Sequence, residues 1–305
     1  MNKMAYIIIV NWNGYKDTCQ CIESCRELDY SNFHILIVDN GSSDGSGQLL
    51  REQFSDIKII ETGSNLGFAG GNNVGIRYAL EQGADYIWVL NNDTVVDVHC
   101  LDFLIQAHEA DPEIGMAGNK IYCHHSPETI WYAGGEVDLE KGGVTHHIGK
   151  DLRDDGSYDE PGPTGYITGC SVLIKTEVIK DIGLMNENYF LYFEDVDWSL
   201  RAKQKGWKLF YEPRAKLWHK EGARREQEYS DKFIYYSIRN RLYFMNNFAP
   251  EKMRRCHLFH VKTILFFMKS TVAQGPAAAL KPLILAARGY IDFYLYKKMG
   301  INKEL

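Results

Sequence analysis

No apolar run in these 305 residues reaches the roughly 20 that a membrane-spanning helix needs; Lys269 and Lys281 interrupt the best candidates. No basic leader precedes a cleavable apolar segment, because Met4 to Val10 is short and runs straight into Asn11-Trp12-Asn13-Gly14. A cytoplasmic protein is therefore expected. The seven cysteines are odd in number and none has paired zinc spacing. Cys19, Cys21 and Cys25 cluster, but their spacing does not put three thiolates on one helix face, so reduced thiols are expected rather than a metal site. Internal repeats and low-complexity tracts are missing too. A net charge of -6 gives no reason to expect nucleic acid as a partner.

What is there is a chain long enough for one large domain and an appendage. Its charge is uneven. From residue 226 onward stand 13 Lys/Arg against 6 Asp/Glu, a net +7, and residues 1–225 carry -13. The character of the sequence changes at the same place, which divides it into a domain at 1–225 and a basic, aromatic-rich helical extension at 226–305.

The first part alternates strand and helix. Tyr6 to Val10 is an apolar, β-branched run suited to a strand covered on both faces. A helix is expected from Lys16 to Leu28, a strand from Phe33 to Val38, a short helix from Gln48 to Phe54 and a strand from Ile57 to Glu61. Asn65 to Asn73 reads as a Gly-rich turn opening a helix to about Gln82, and Asp85 to Leu90 as a strand. Leu101 to Ala110 is a helix stopped before Pro112. Units of this length argue for an α/β fold, with a mostly parallel central sheet and helices on both faces. Residues 122–163 are rich in Gly, His and Asp with only strand-like fragments, and read as an excursion over the sheet edge that shapes a pocket. Tyr166 to Ile174 reads as a strand, Glu177 to Ile182 as a helix. Another helix is expected from the acids near Glu194 to Gly206, and a strand from Trp207 to Tyr211.

The organising stretch is Ile87-Trp88-Val89-Leu90-Asn91-Asn92-Asp93-Thr94, a buried strand that stops at two amides and a carboxylate. Ligands of open α/β sheets gather at such strand ends. Asn91, Asn92 and Asp93 offer hard oxygens suited to Mg²⁺ or Mn²⁺, and His219 could complete that shell; equally, Asp93 could form a turn and His219 could be a hydrogen-bonded histidine beside Trp218. Asp39 follows the second strand, where it either accepts the imide N–H of uracil or thymine or starts an Asx-turn. Asp44 is most simply the N-cap side of the next helix. The turn from Asn65 to Asn73 holds three glycines and three asparagines before a helix, so its backbone N–H groups could face a diphosphate, although it matches neither the P-loop nor the dinucleotide spacing. Glu194, Asp195 and Asp197 either complement a helix dipole or raise one another's pKa, as a general base requires; Phe190, Tyr192, Phe193 and Trp198 nearby could stack on sugar rings.

Taken in order, Asn-Trp-Asn-Gly, Val-Asp-Asn-Gly-Ser-Ser-Asp-Gly-Ser, Asn-Leu-Gly-Phe-Ala-Gly-Gly-Asn-Asn, Leu-Asn-Asn-Asp-Thr, Thr-Gly-Cys-Ser, Phe-Glu-Asp-Val-Asp-Trp and Trp-His-Lys-Glu-Gly resemble family 2 glycosyltransferases of the GT-A (nucleotide-diphospho-sugar transferase) fold, most closely the rhamnosyltransferase-like branch. The resemblance covers about 6–222. It implies a metal-dependent, inverting transfer of a sugar from a UDP- or dTDP-linked donor, such as dTDP-rhamnose or a UDP-hexose, to a glycan or lipid-linked acceptor in cell-envelope polysaccharide synthesis. Asp39 would hold the base, with Asn11, Asn65, Gly67, Asn72, Asn92 and Asp93 along the rest of the donor. Asp93 and His219 would bind Mn²⁺ or Mg²⁺, and Asp195 would be the catalytic base. Gly169, Cys170, Glu194 and Trp198 would lie on the acceptor side. One departure stands out: Asn91 occupies the first acid position of the family's Asp-x-Asp motif, which predicts weaker metal affinity or a contact carried mainly by Asp93.

Two other classes compete. A nucleotide-sugar-binding protein without turnover would have no need of the Glu194-Asp195 pair, and a nucleotidyltransferase would need a basic, Gly-rich triphosphate loop near the N-terminus that this sequence does not have. The basic tail has two readings of its own: a structural cap, or an amphipathic surface lying peripherally on anionic lipid at the inner face of the cell membrane.

Overall fold

The computed structural model describes residues 3–220, 230–272 and 275–296. The expected boundary at 225/226, Glu221 and Gly222 of the last motif, and Lys297, Lys298 and Lys303 of the tail lie outside the described residues. The chain divides into two compact units. The first comprises Met1–Glu136, His147–Asn186 and Asp195–Ala223; the second comprises Val137–His146, Glu187–Glu194 and Arg224–Leu305.

In chain order the elements are β1 (Ala5–Asn11), α1 (Tyr15–Arg26), β2 (Phe33–Asp39), α2 (Ser46–Gln53), β3 (Lys58–Glu61), α3 (Gly67–Glu81), β4 (Tyr86–Asn91), β5 (Thr94–Val96), α4 (Cys100–Ala110), β6 (Ile114–Cys123) and β7 (Ser126–Tyr132). There follow β8 (Gly135–Asp138), β9 (Val144–His147), β10 (Gly162–Pro163), β11 (Ser171–Lys175), α5 (Thr176–Ile182), α6 (Glu194–Gln204) and β12 (Lys208–His219). The main sheet runs β10-β12-β6-β11-β4-β1-β2-β3, with β5 on β12 and β7 on β6; β8 and β9 pair separately. β3, β2, β1 and β4 are parallel, β11 runs antiparallel between β4 and β6, and β12 is again parallel to β6.

Because side chains alternate along a strand, β1 feeds two cores. Ile7 and Ile9 pack with Ile22 of α1, Leu50 of α2 and Leu104 of α4; Tyr6 and Ile8 pack with Ile76 of α3, Val178 of α5 and Trp198 of α6. Helices thus cover both faces of the sheet.

Four local expectations are corrected. Gly67 to Asn73 is the start of α3, not a turn: Asn65 Oδ1 accepts the Gly67 N–H at 2.8 Å, and the glycines let the helix lie close to the sheet. A Cβ at Gly75 would fall 2.5 Å from Ile8 Cγ2. The strand expected over 166–174 is confined to Ser171–Lys175, because the Ser171 N–H closes a turn on Thr168 O. β12 continues past Tyr211 to His219, and β6 lies where no strand was expected.

The second unit holds α7 (Asp231–Phe248), α8 (Met253–Thr271) and α9 (Pro276–Tyr296). Ser230 caps α7 by accepting the Phe233 N–H. Ile234 and Ile238 of α7 pack against Phe267 of α8 and Leu285 and Ala286 of α9. In the segment 187–194, Phe190, Tyr192 and Phe193 all have φ between +64° and +76°, a region costly for bulky residues. Asn240 holds this conformation, its Nδ2 donating to the carbonyls of Tyr189, Leu191 and Tyr192, while Arg239 donates to Asn188 and Tyr189. No described helix is long and apolar enough to cross a membrane.

Candidate active site

The C-terminal ends of β1, β2 and β4 are tied by one hydrogen-bond network. Asn11 Nδ2 donates to Asp39 Oδ1 at 2.8 Å and lies at 3.0 Å from Ser46 Oγ and 3.1 Å from Ser42 Oγ. Thr18 Oγ1 donates to Asn11 Oδ1 and accepts from Asn92 Nδ2 at 2.9 Å. Asp39 is buried, with Ser42 Oγ also donating to its Oδ1. Ser42 and Ser46 lie within the quoted motif at 38–46 but were given no role there, and Thr18 lies outside the quoted motifs. Asp44 takes the Ser46 N–H at 2.9 Å, and Gly45 with φ +84° occupies the N-cap itself. Asn72 lies inside α3, buried, with its Nδ2 donating to Phe68 O four residues back.

Asp93 sits in the turn between β4 and β5. The ladder between β12 and β5 sets His219 opposite Thr94, and the Lys220 N–H donates to Asp93 O. As a result His219 Nε2 lies 3.1 Å from Asp93 Oδ1 and 3.5 Å from Asn91 Nδ2. Burial works against a charge on the His219 ring, but the adjacent Cys170 and the Asp93 carboxylate outweigh it and hold its pKa well above the ordinary value. One carboxylate, one imidazole and a neighbouring amide suit Mn²⁺ or Mg²⁺ that takes its other ligands from water and a diphosphate. Among the described residues no group of three or more His, Cys, Asp or Glu could hold a metal.

Asp195 opens α6. Its Oδ2 accepts the Gly169 N–H and its Oδ1 the Val196 N–H, both at 2.8 Å. Burial raises its pKa above the usual aspartate value, against these donors. The largest cause is burial, where the sequence suggested mutual repulsion of three acids. Asp197 is instead paired to Arg201 at 2.6 Å, and Arg201 also donates to Ile182 O and Leu184 O. Gly169 is where the backbone must come close: a Cβ there would lie 3.0 Å from the Phe68 ring and 3.3 Å from Asp195 Cβ.

The aromatic wall expected around Asp195 is also corrected. Trp198 is 0 % exposed, donates to Gly183 O and belongs to the core under α3, so it cannot meet an acceptor. Phe190 and Phe193 are buried within the helical unit, against Tyr236 and Phe244. Glu194 and Cys170 are buried as well. A different row of rings lies near both clusters. Trp131 meets His219 edge-on with centroids 4.6 Å apart, His147 packs between Trp131 and Tyr132, and Tyr132 donates to Tyr166 O. Burial first, then the Asp195 charge, push the pKa of Tyr132 and Tyr166 upward. These residues come from the patternless stretch 122–163 and its end; the only sequence signal was Ile130-Trp131-Tyr132 itself.

Comparison with known proteins adds to this geometry. N-acetylglucosaminyl-diphospho-decaprenol L-rhamnosyltransferase of Mycobacterium tuberculosis is 26% identical over 204 residues, 61% of this chain and 66% of that protein. The low-salt glycan biosynthesis hexosyltransferase Agl10 of Haloferax volcanii is 25% identical over 253 residues, 82% of this chain and 78% of the relative. Poly-β-1,6-N-acetyl-D-glucosamine synthase of Staphylococcus epidermidis is 26% identical over 219 residues, 69% of this chain but 48% of its own length. The chain therefore spans just under two thirds of the mycobacterial relative and about half of the staphylococcal one.

Among solved structures, the mannosyltransferase PcManGT of Pyrobaculum calidifontis, in complex with GDP-Man and Mn²⁺, matches with a TM-score of 0.58 at 13% identity over 98% of this chain and 84% of its own. GalNAc-T7 with UDP, GalNAc and Mn²⁺ matches with a TM-score of 0.58 at 16% identity over 71% of this chain and 43% of its own. At such identities the likeness is one of fold, and that fold is the GT-A architecture anticipated from the motifs. The sequence model described as glycosyl transferase family 2 matches residues 6–183, more than half of the chain, and the chain belongs to that family.

Proposed function

We propose that the chain transfers a sugar from a UDP- or dTDP-linked donor to a hydroxyl of a glycan or lipid-linked acceptor in cell-envelope polysaccharide synthesis, in one inverting displacement. The observation that carries this reading is the Asp93–His219 pair, 3.1 Å apart at the end of β4, in a unit that also holds Asp195 with its pKa raised by burial. Family membership and the relatives' names support the same reaction class. Asp39, Asn11, Asn65, Gly67 and Asn92 would bind and orient the donor. Asp93 and His219 would hold Mn²⁺ or Mg²⁺, which when bound neutralises charge on a departing diphosphate.

Asp195 takes the proton of the acceptor hydroxyl as that oxygen bonds to the anomeric carbon and the bond to the diphosphate oxygen breaks. Its two backbone N–H donors fix the carboxylate, and its raised pKa makes it a better proton acceptor than an exposed aspartate.

Leu258, Leu265 and Phe266 of α8 and Leu283, Ile284 and Leu295 of α9 are all exposed, beside Arg254, Arg255, Lys262 and Lys281. This basic, apolar surface supports peripheral contact with anionic lipid at the inner membrane face, close to a lipid-linked acceptor. Incubation with dTDP-rhamnose and with UDP-hexoses, Mn²⁺ and a polyprenyl-diphosphate-linked saccharide tests the reaction. Sugar appearing on the lipid supports it; donor left intact under all combinations, in folded protein, refutes it.

A further inference from the structure

We infer that Trp131, backed by His147, is the platform on which the transferred hexopyranose rests, its apolar C–H face against the indole; this deepens the donor-site reading above and rests on it. The row Trp131, His147, Tyr132 and Tyr166 starts at one cluster and ends at the other. At one end the indole stands edge-on to His219, with centroids 4.6 Å apart and planes at 77°, and His219 is the neighbour of Asp93. At the other, Tyr132 donates to Tyr166 O, three residues before Gly169, whose N–H donates to Asp195 Oδ2. A sugar whose anomeric carbon is to be attacked must lie between the leaving diphosphate and the base, so this row runs beside the path it occupies.

Only part of the row is open to a ligand. Tyr132, Tyr166 and His219 are buried, whereas Trp131 and His147 are each half-buried. Trp131 packs one side on the core of β7 and its neighbours, and no described residue accepts from its indole N–H. It therefore offers both an aromatic surface and a hydrogen-bond donor, the pair of features a sugar ring with one C–H face and several hydroxyls can use. His147 also holds Trp131 in place. Its ring lies 4.4 Å from Trp131 at 68°, and its Nδ1–H donates to Trp131 O at 3.1 Å, since a carbonyl can only accept.

The test separates sugar from nucleotide. Affinities of the full chain with Mn²⁺ are measured by calorimetry for UDP against UDP-glucose and for dTDP against dTDP-L-rhamnose, in wild type, Trp131→Ala and Trp131→Phe. The expected result is about 3- to 10-fold weaker binding of the preferred sugar nucleotide by Trp131→Ala, unchanged binding of the matching nucleoside diphosphate, and partial recovery in Trp131→Phe. Trp131→Leu, which keeps bulk without a π face, gives the same comparison where the alanine variant unfolds. Equal loss for both ligands, or no loss for the sugar nucleotide, overturns the platform while leaving the glycosyltransferase reading intact. A folded wild type that binds none of the four overturns both.

Discussion

His219 Nε2 and Asp93 Oδ1 lie 3.1 Å apart although 126 residues separate them, because the β12–β5 ladder sets His219 opposite Thr94, the next residue. A two-residue donor set gives affinity only when a diphosphate completes the shell. His219→Ala is expected to cut the Mn²⁺-dependent part of nucleotide binding by at least about 10-fold, the loss seen even when an outer-shell partner goes, and to leave metal-free binding nearly unchanged. Titration of nucleotide with and without EDTA reads both quantities.

Asp195→Asn should lower the transfer rate by about 10²- to 10⁴-fold, the range of general-base catalysis, with nucleotide affinity preserved. Because burial raises the Asp195 pKa, activity should fall with decreasing pH at a higher pH than an exposed aspartate would give. A pH–rate profile under saturating donor locates that limb, and retained turnover in Asp195→Asn removes it from the base role.

Gly47 is the close neighbour of the expected base-binding carboxylate: a Cβ there would lie 2.7 Å from Asp39 Oδ2. Gly47→Ala should displace Asp39 from Asn11 and Ser42, weaken nucleotide binding and cost about 1–3 kcal/mol of stability. Gly162→Ala, where nothing lies within 4 Å, serves as the neutral control in the same melts.

Asn240→Ala removes one side chain that serves three carbonyls of a segment holding positive-φ aromatic residues. The expected loss is about 1–3 kcal/mol from buried acceptors left unpaired. Denaturant unfolding followed by tyrosine and tryptophan emission measures it, and a change below a few tenths of a kcal/mol would mean the segment holds its shape without Asn240.

His108 is buried between Ile114 O and Leu173 O, and burial lowers its pKa from 6.5 to about 4. Below pH 6.5 the unfolded chain takes up a proton that the folded chain refuses, so stability present above that pH is lost as it falls toward 4. The full effect is on the order of 3 kcal/mol. Urea melts at pH 7 and 4.5 should differ more in wild type than in His108→Gln.

The parallel half of the fold was legible because β1, β2 and β4 are plain apolar runs that end at polar residues, and their ends are where the network assembles. β6 was not, since Gly115, Gly118, Asn119 and Lys120 interrupt it. Lys120 is buried only because Asp154 and Asp159 reach it from a distant loop, a pairing that no local pattern announces. The glycines of α3 read as a turn because their use is close packing on Ile8 and Val10, which depends on the sheet beneath. Aromatic residues beside Asp195 suggested a sugar wall, yet Trp198 and Phe193 went into two cores. The half-open indole, Trp131, stood in a segment with no period at all.

The most direct test of the donor site is a thermal-shift series with UDP, dTDP, GDP and CDP, each with Mn²⁺, Mg²⁺ or EDTA. A ligand that binds only the folded state raises the melting temperature by mass action, so selectivity is read without an acceptor. A metal-dependent rise with UDP or dTDP and none with GDP or CDP is the expected result. No rise with any of the four, in a sample that melts cooperatively, would contradict it.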